Sequence, residues 1–433
     1  MNKFIKSTII LILGGALTKI ISMIIRIVLN RLLGAEGIGI YMLIMPTFSL
    51  LISISQLGLS TSISKLVSEG NRKNKNLVFS VIPISLLFNL ILMIIIIFSS
   101  KYISNNLLHN ENTYYPIMSI AFTLPFIAIS NILRGYFFGK EKMIPHVISN
   151  VVEDIVRLII IIIGVPIFIN NGISIAVMFV VLSNIISELS SILVLFFFLP
   201  KNFKLEKKDL IPDKKNIKDV FSLSIPTTIS RIIGNIGYFF EPIIITNLLI
   251  YLGYKSNFIT TTYGIINGYS LSLLSLPSFF SGAISTAIIP VVSRSYSKGN
   301  IYETKRKIKQ GIMFSLLIGI PSSIIFFLFP EFLLKLIYNT TLGSNYVKIL
   351  SLFFILQYIN NPIVSSINAM GYTNINLKNT IINILVKTIS LIISILLFNI
   401  NGIIISLIIS IIFSCFYNFF TLKKILNNNI YKK

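Results

Sequence analysis

Long apolar runs recur along the whole chain, each about the length of a membrane helix and each bounded by clusters of charge, Gly, Pro or Asn. They predict twelve helical spans, at roughly 7–33, 38–66, 77–100, 114–138, 143–169, 172–199, 218–250, 263–293, 311–330, 345–369, 379–399 and 402–421. Lys3 and Lys6 precede the first run as in a secretory signal. It lacks a convincing small-x-small cleavage site and stays apolar to about Leu33, so it is expected to remain as an uncleaved span. The longest polar stretch, 200–217, is Lys-rich and carries Pro200 and Pro212 as breakers. It divides the spans six and six, giving an N-terminal lobe at 1–199, a basic linker at 200–217 and a C-terminal lobe at 218–433.

A repeat supports that division. Leu59 to Ser68, LSTSISKLVS, aligns with Ile284 to Ser293, ISTAIIPVVS, near the end of the second span of each half. Two halves with an even number of spans enter the membrane in the same direction, which makes the repeat parallel. The expected fold is an all-α polytopic membrane protein, with two six-helix lobes related by a parallel pseudo-two-fold repeat around a central hydrophilic cavity.

Composition agrees: 54% of the 433 residues are hydrophobic and 12% charged, against about 45–50% and about 25% in a soluble domain. The net charge of +23 in a soluble protein would suggest nucleic acid, but the basic residues punctuate apolar runs, so no nucleic-acid partner is expected and the lipid bilayer is. Of the 37 Lys and Arg, 27 fall in the N-terminus, the even-numbered loops (Arg134 counted among them) and the tail. Both termini are therefore expected on the cytoplasmic side of the cell membrane. One cysteine, Cys415, and two distant histidines, His109 and His146, imply no disulfide, metal or cofactor. Gly34, Gly37 and Gly39 form GxxGxG between two spans, a turn rather than a phosphate loop. Nothing else in the sequence supports an enzyme.

Nine ionisable residues fall inside spans: Lys19, Arg26, Arg157, Arg231, Lys387, Glu153, Asp154, Glu188 and Glu241. Facing lipid, they would together cost on the order of 20–30 kcal/mol at about 2.5–3.5 kcal/mol each. They must pair or face water. Helical phase gathers them into stripes: Lys19, Ser22, Arg26 and Asn30 on span 1, His146, Asn150, Glu153, Asp154 and Arg157 on span 5, and Arg231, Asn235 and Tyr238 on span 7. Span 6 has Asn184, Ser187, Glu188 and Ser191, and span 11 has Asn383, Lys387 and Ser390. Glu153 and Arg157 stand four apart and can satisfy each other. Arg26 and Arg231 have no opposite charge within a turn of their own helices. Pro226 and Pro242, with Gly234 and Gly237 between them, mark span 7 as the best hinge candidate.

Four stretches carry a resemblance: Leu33–Asn71, Arg134–Arg157 (RGYFFGKEKMIPHVISNVVEDIVR), Ser224–Pro242 (SIPTTISRIIGNIGYFFEP) and Leu274–Ser293. Together they resemble the polysaccharide-transporter branch of the multidrug/oligosaccharidyl-lipid/polysaccharide flippase superfamily. In that pattern Lys19 stands at a position that tends to be basic. Arg26, Glu153, Arg157, Glu188, Arg231, Glu241 and Lys387 match charged positions. The resemblance implies two lobes that open alternately to either side, and a part in spore-cortex peptidoglycan synthesis by flipping a lipid-linked precursor. Family members often continue into two further helices, whereas this chain ends after the twelfth span.

The expected mechanism follows. A polyprenyl-diphosphate-linked saccharide enters from the cytoplasmic side, and its diphosphate is attracted by Arg26 and Arg231, joined by Lys19 or Lys387 and with Asn235 on the same stripe. The lobes rock while the tail stays in lipid. Glu153, Asp154, Arg157, Glu188 and Glu241 form charge pairs or couple a proton or cation. Two other readings remain: a cation-coupled exporter of amphipathic compounds, and a membrane scaffold that recruits peptidoglycan-synthesis proteins through the basic linker.

Overall fold

The computed structural model describes residues 3–70, 74–200, 203 and 214–428. Most of the basic 200–217 linker lies outside these. Fifteen α-helices are described: α1 (Lys3–Ser55), α2 (Leu59–Glu69), α3 (Asn74–Tyr102), α4 (Tyr114–Gly139), α5 (Met143–Phe168), α6 (Ile173–Phe197), α7 (Lys214–Tyr251), α8 (Ser256–Gly264), α9 (Leu271–Leu274), α10 (Ser278–Ser297), α11 (Ile301–Leu328), α12 (Pro330–Tyr338), α13 (Ser344–Ala369), α14 (Thr373–Phe398) and α15 (Gly402–Asn428). Eight helical stretches are long and apolar enough to cross a membrane, and the bent pair Ser256–Leu274 and Ser278–Ser297 makes a ninth. Two of the eight are of double length. Leu13–Glu69 is interrupted at Gly34 (φ 65°, ψ −174°), a conformation that a side chain would strain. Thr373–Asn427 is interrupted at 399–401. With α5, whose 26 residues reach about 39 Å at about 1.5 Å each, these give the twelve spans that the hydrophobic pattern predicts. The chain is a multi-pass membrane protein, and side chains such as Leu87, Ile91, Phe98, Ile163 and Leu193 turn outward from it.

The chain folds as two compact units, 1–243 and 244–433. The division falls inside α7, past the expected linker, because Arg231 and Asn235 of α7 bond to the segment that runs from the end of α1 into α2.

Each unit repeats one packing plan. In the first, the fourth span, α4, packs on α2, α3 and α6, and α5 pairs with α6. In the second, the tenth span, α13, packs on α10, α11 and α15, and α14 pairs with α15. The buried apolar clusters draw on the corresponding helices, α2, α3, α4 and α6 in one and α10, α11, α13 and α15 in the other. The repeat seen in sequence is physical: Ile63 and Val67 lie in the first cluster, and their counterparts Ile288 and Val292 in the second.

Spans 2 and 8 are both broken. Span 2 breaks at 56–58, where Leu57 (φ 48°) and Gly58 (φ 60°) are left-handed. Just ahead of that break, Asn89 of α3 donates to the Ser55 carbonyl at 3.2 Å, and Ser55 Oγ lies 3.1 Å from the Leu124 carbonyl of α4. Span 8 bends by 54°. There Tyr358 of α13 stitches the two sides, its hydroxyl donating to the Leu274 carbonyl at 2.6 Å and its own carbonyl accepting from Ser281 Oγ at 2.7 Å. By contrast α7, the expected hinge, is one continuous helix through Pro226 and Pro242.

Candidate functional site

Three interior carboxylates and two guanidiniums meet where α4, α5 and α6 pack in the first unit. Glu153 is clamped from two helices: one oxygen accepts from Arg134 Nη2, the other from Arg157 Nη2 at 2.6 Å. Arg157 also stands 3.6 Å from Asp154 Oδ1 and 3.4 Å from Ser187 Oγ of α6. Arg134 donates to Ser191 Oγ at 2.9 Å and lies 3.7 Å from Glu188 Oε2. The i, i+4 pairing expected of Glu153 and Arg157 is present.

Arg134 corrects the sequence reading. The charge count assigns it to a loop, because Lys140 and Lys142 follow closely. In the structure it lies within the last two turns of α4 with its side chain only 17% exposed, and it is the cation on which Glu153 and Glu188 converge. The sequence does hold the signal: RGYFFG continues an apolar helix for five residues past Arg134.

The basic residues of the other stripes stand differently. Lys19 and Arg26 are exposed on α1, and among the described residues neither makes an ion pair or hydrogen bond. Arg26 lies within electrostatic range of the hydroxyls of Tyr41 and Tyr238, and Tyr41 is also within range of Arg157. Among the described residues Arg231, half-buried on α7, donates only to neutral groups: Gln56 Oε1 at 3.1 Å and Thr61 Oγ1 at 3.4 Å. Of its two partners Gln56 lies in the break in span 2 and Thr61 just beyond it. One turn on, Asn235 Nδ2 donates to Ser53 Oγ at 2.8 Å. Glu241 is buried further along α7, within range of Tyr238. Lys387 lies half-buried on α14 in the second unit. Six candidates are thus joined to named partners in the first unit (Glu153, Asp154, Arg157, Glu188, Arg231 and Asn235), and Tyr41 is an addition that its sequence position does not signal.

Among the described residues of the second unit no Asp, Glu, Lys or Arg is fully buried, and buried amides bond to one another. Asn379 donates to Asn418 at 2.9 Å, Asn418 to Asn360 at 3.0 Å, and Asn360 to Ser414 at 3.1 Å, all among buried helices. Among the described residues no group of His, Cys, Asp and Glu has the makings of a metal site.

The family model described as polysaccharide biosynthesis protein matches residues 4–296. The chain belongs to this polysaccharide biosynthesis family. A second model, MatE, matches residues 242–393. The chain is 35% identical over 396 residues to stage V sporulation protein B of Bacillus subtilis (strain 168), covering 89% of this chain and 76% of the relative. It is 22% identical over 456 residues to lipid II flippase MurJ of the same organism, covering 98% and 83%. Among solved structures, an inward-facing multidrug resistance MATE family transporter of the MOP superfamily matches with a TM-score of 0.73 at 16% identity, covering 95% of each chain. That likeness shows the fold. The chain therefore has the all-helical, multi-span fold of that transporter.

Proposed function

We propose that the protein flips a lipid-linked saccharide, a peptidoglycan precursor of the spore cortex, across the membrane by alternating access, with both termini cytoplasmic. One observation carries the choice of substrate chemistry. The carboxylates of α5 and α6 have Arg134 and Arg157 beside them, whereas Arg26 has no ion-pair partner among the described residues and Arg231 bonds only to neutral ones. Among the described residues no carboxylate bonds the guanidiniums of Arg26 on α1 and Arg231 on α7, which leaves both able to take a diphosphate. A cationic drug would meet repulsion there.

Arg26 and Arg231 bind the diphosphate in this reading, and Asn235 and Lys19 flank it. Coupling, if it runs through an acid of the first unit, falls to Glu188. Three carboxylates share two guanidiniums, and its Oε2 has no hydrogen-bond partner. The names of the relatives support the substrate: one is a sporulation protein, another a lipid II flippase. The test is head-group accessibility of a precursor in vesicles containing the purified protein. A protein that instead drives efflux of a cationic dye and leaves the precursor in place contradicts the proposal.

A further inference from the structure

α11 opens with a run of cations: Lys305, Arg306, Lys307 and Lys309 fall in its first turns, ahead of an apolar stretch that begins at Gly311. The start of the helix is fixed in place. Asn300 caps it, its side chain accepting from the Glu303 amide at 2.9 Å, and Thr304 Oγ1 donates to Ser295 Oγ at 2.9 Å, which ties α11 to the end of α10.

Two further pairs of cations come to the same end of the second unit. Arg294 and Lys298 stand at the end of α10. Lys423 and Lys424 lie in the last two turns of α15, where Lys305 Nζ donates to Asn427 Oδ1 at 3.4 Å. Beneath them Val292, Ile308, Leu422 and Leu426 pack in one buried cluster. All of these cations except Lys307 are exposed. Glu303 is the one acid in 294–309, and its carboxylate accepts from the Asn300 amide.

An orientation signal needs cations on one side of a membrane and asks nothing of the face they occupy. These occupy a face. Arg306, Lys309, Met313, Leu317, Ile320 and Ile324 follow one another along α11 at steps of three or four residues, and each is exposed. From Met313 onward the stripe is apolar and meets lipid tails. At about 1.5 Å per residue, Lys309 stands about 6 Å and Arg306 about 10 Å along the helix axis from Met313. The headgroup layer is about 5–8 Å deep on each side of a bilayer. Both side chains therefore reach the level of lipid phosphates, directly above the tails that the same stripe touches.

We propose that this end of the second unit binds the headgroups of anionic phospholipids, with a lipid phosphate seated between Arg306 and Lys309 and further headgroups held by the cations of α10 and α15. Charge and face together choose the partner. A soluble acidic protein would match the charge but not a stripe that runs on into the tails. A zwitterionic lipid carries its own cation beside the phosphate and gains little from a surface that is already positive. The inference needs only that the chain spans a membrane, and it does not depend on what the protein transports.

The test uses the purified full chain in a non-ionic detergent, titrated with phosphatidylglycerol or phosphatidylcholine of the same acyl chains and followed by thermal unfolding. Phosphatidylglycerol is expected to raise the unfolding temperature of the wild type saturably, and phosphatidylcholine to leave it nearly unchanged. Arg306→Gln with Lys309→Gln should raise the phosphatidylglycerol midpoint about tenfold or more. Neither side chain makes a hydrogen bond or ion pair among the described residues, so without lipid this variant should unfold at the wild-type temperature. The control, Lys140→Gln with Lys142→Gln, removes two cations from the turn between α4 and α5 in the first unit and should keep the wild-type response. Equal effects of the two phospholipids, or an unchanged midpoint in the Arg306 and Lys309 variant, overturn the proposal. An equal loss in the control does so too, because it means diffuse attraction to net charge. Glycerol 1-phosphate as effective as phosphatidylglycerol would mark a site for free phosphate, and a preference for polyprenyl diphosphate over phosphatidylglycerol would give the surface to the transported lipid; either result overturns it.

Discussion

Arg231 Nη1 donates to Gln56 Oε1 at 3.1 Å, tying α7 to the break in span 2 from 175 positions away. A neutral amide acceptor holds a guanidinium less well than an oxyanion does, because it offers no opposite charge and cannot accept both arms of the fork. A diphosphate that reaches Arg231 can therefore take it from Gln56 at small cost.

Arg231→Ala is expected to abolish precursor flipping while membrane insertion and yield stay normal. Arg231→Lys retains the charge but not the bidentate fork, and should recover part of the rate. Gln56→Ala should leave flipping within a few-fold of wild type. Initial rates in vesicles check all three, and a Gln56→Ala rate as low as that of Arg231→Ala would make the residue a latch, with no ligand role.

Arg134→Ala should destabilise the protein by about 3–5 kcal/mol, because it strips a buried partner from Glu153 and Glu188. Removing Glu153 as well should cost less than the two single losses combined. Thermal unfolding in detergent gives both numbers, and additive losses would show that the pair is not coupled.

Arg26→Ala should show the opposite signature. The side chain is exposed and makes no hydrogen bond or ion pair among the described residues, so the unfolding temperature should hardly move while flipping is lost. A large drop in stability would place Arg26 in the packing instead.

Asn418→Leu removes the middle of the Asn379–Asn418–Asn360 chain. It leaves two buried amides short of a partner, each worth about 1–3 kcal/mol. The second unit should unfold earlier, as read by hydrogen exchange over α13, α14 and α15, with protection of α4, α5 and α6 unchanged.

The spans were legible because twenty-residue apolar runs have few other uses, and the repeat because Ile63 and Val67 do the same packing as Ile288 and Val292. The polar stripes were legible through helical phase. Their partners were not, since periodicity places a residue on a face without saying what faces it. Arg134 shows this: two lysines nearby made it look like a loop residue, while its ion pairs lie on helices that begin later in the chain. The break at 56–58 has no proline to announce it, and the prolines of α7, which do suggest a hinge, leave that helix unbroken. The buried asparagine chain of the second unit joins positions 39 and 58 residues apart, beyond any local pattern.

The central claim is transport of a lipid-linked diphosphate saccharide by way of Arg26 and Arg231. The most direct measurement is the accessibility of a precursor head group to a membrane-impermeant reagent in vesicles reconstituted with wild type, Arg26→Ala or Arg231→Ala. The account predicts that the wild type moves the head group across the bilayer and that neither variant exceeds protein-free vesicles. Wild-type rates in both variants, or a wild type indistinguishable from empty vesicles, would contradict it.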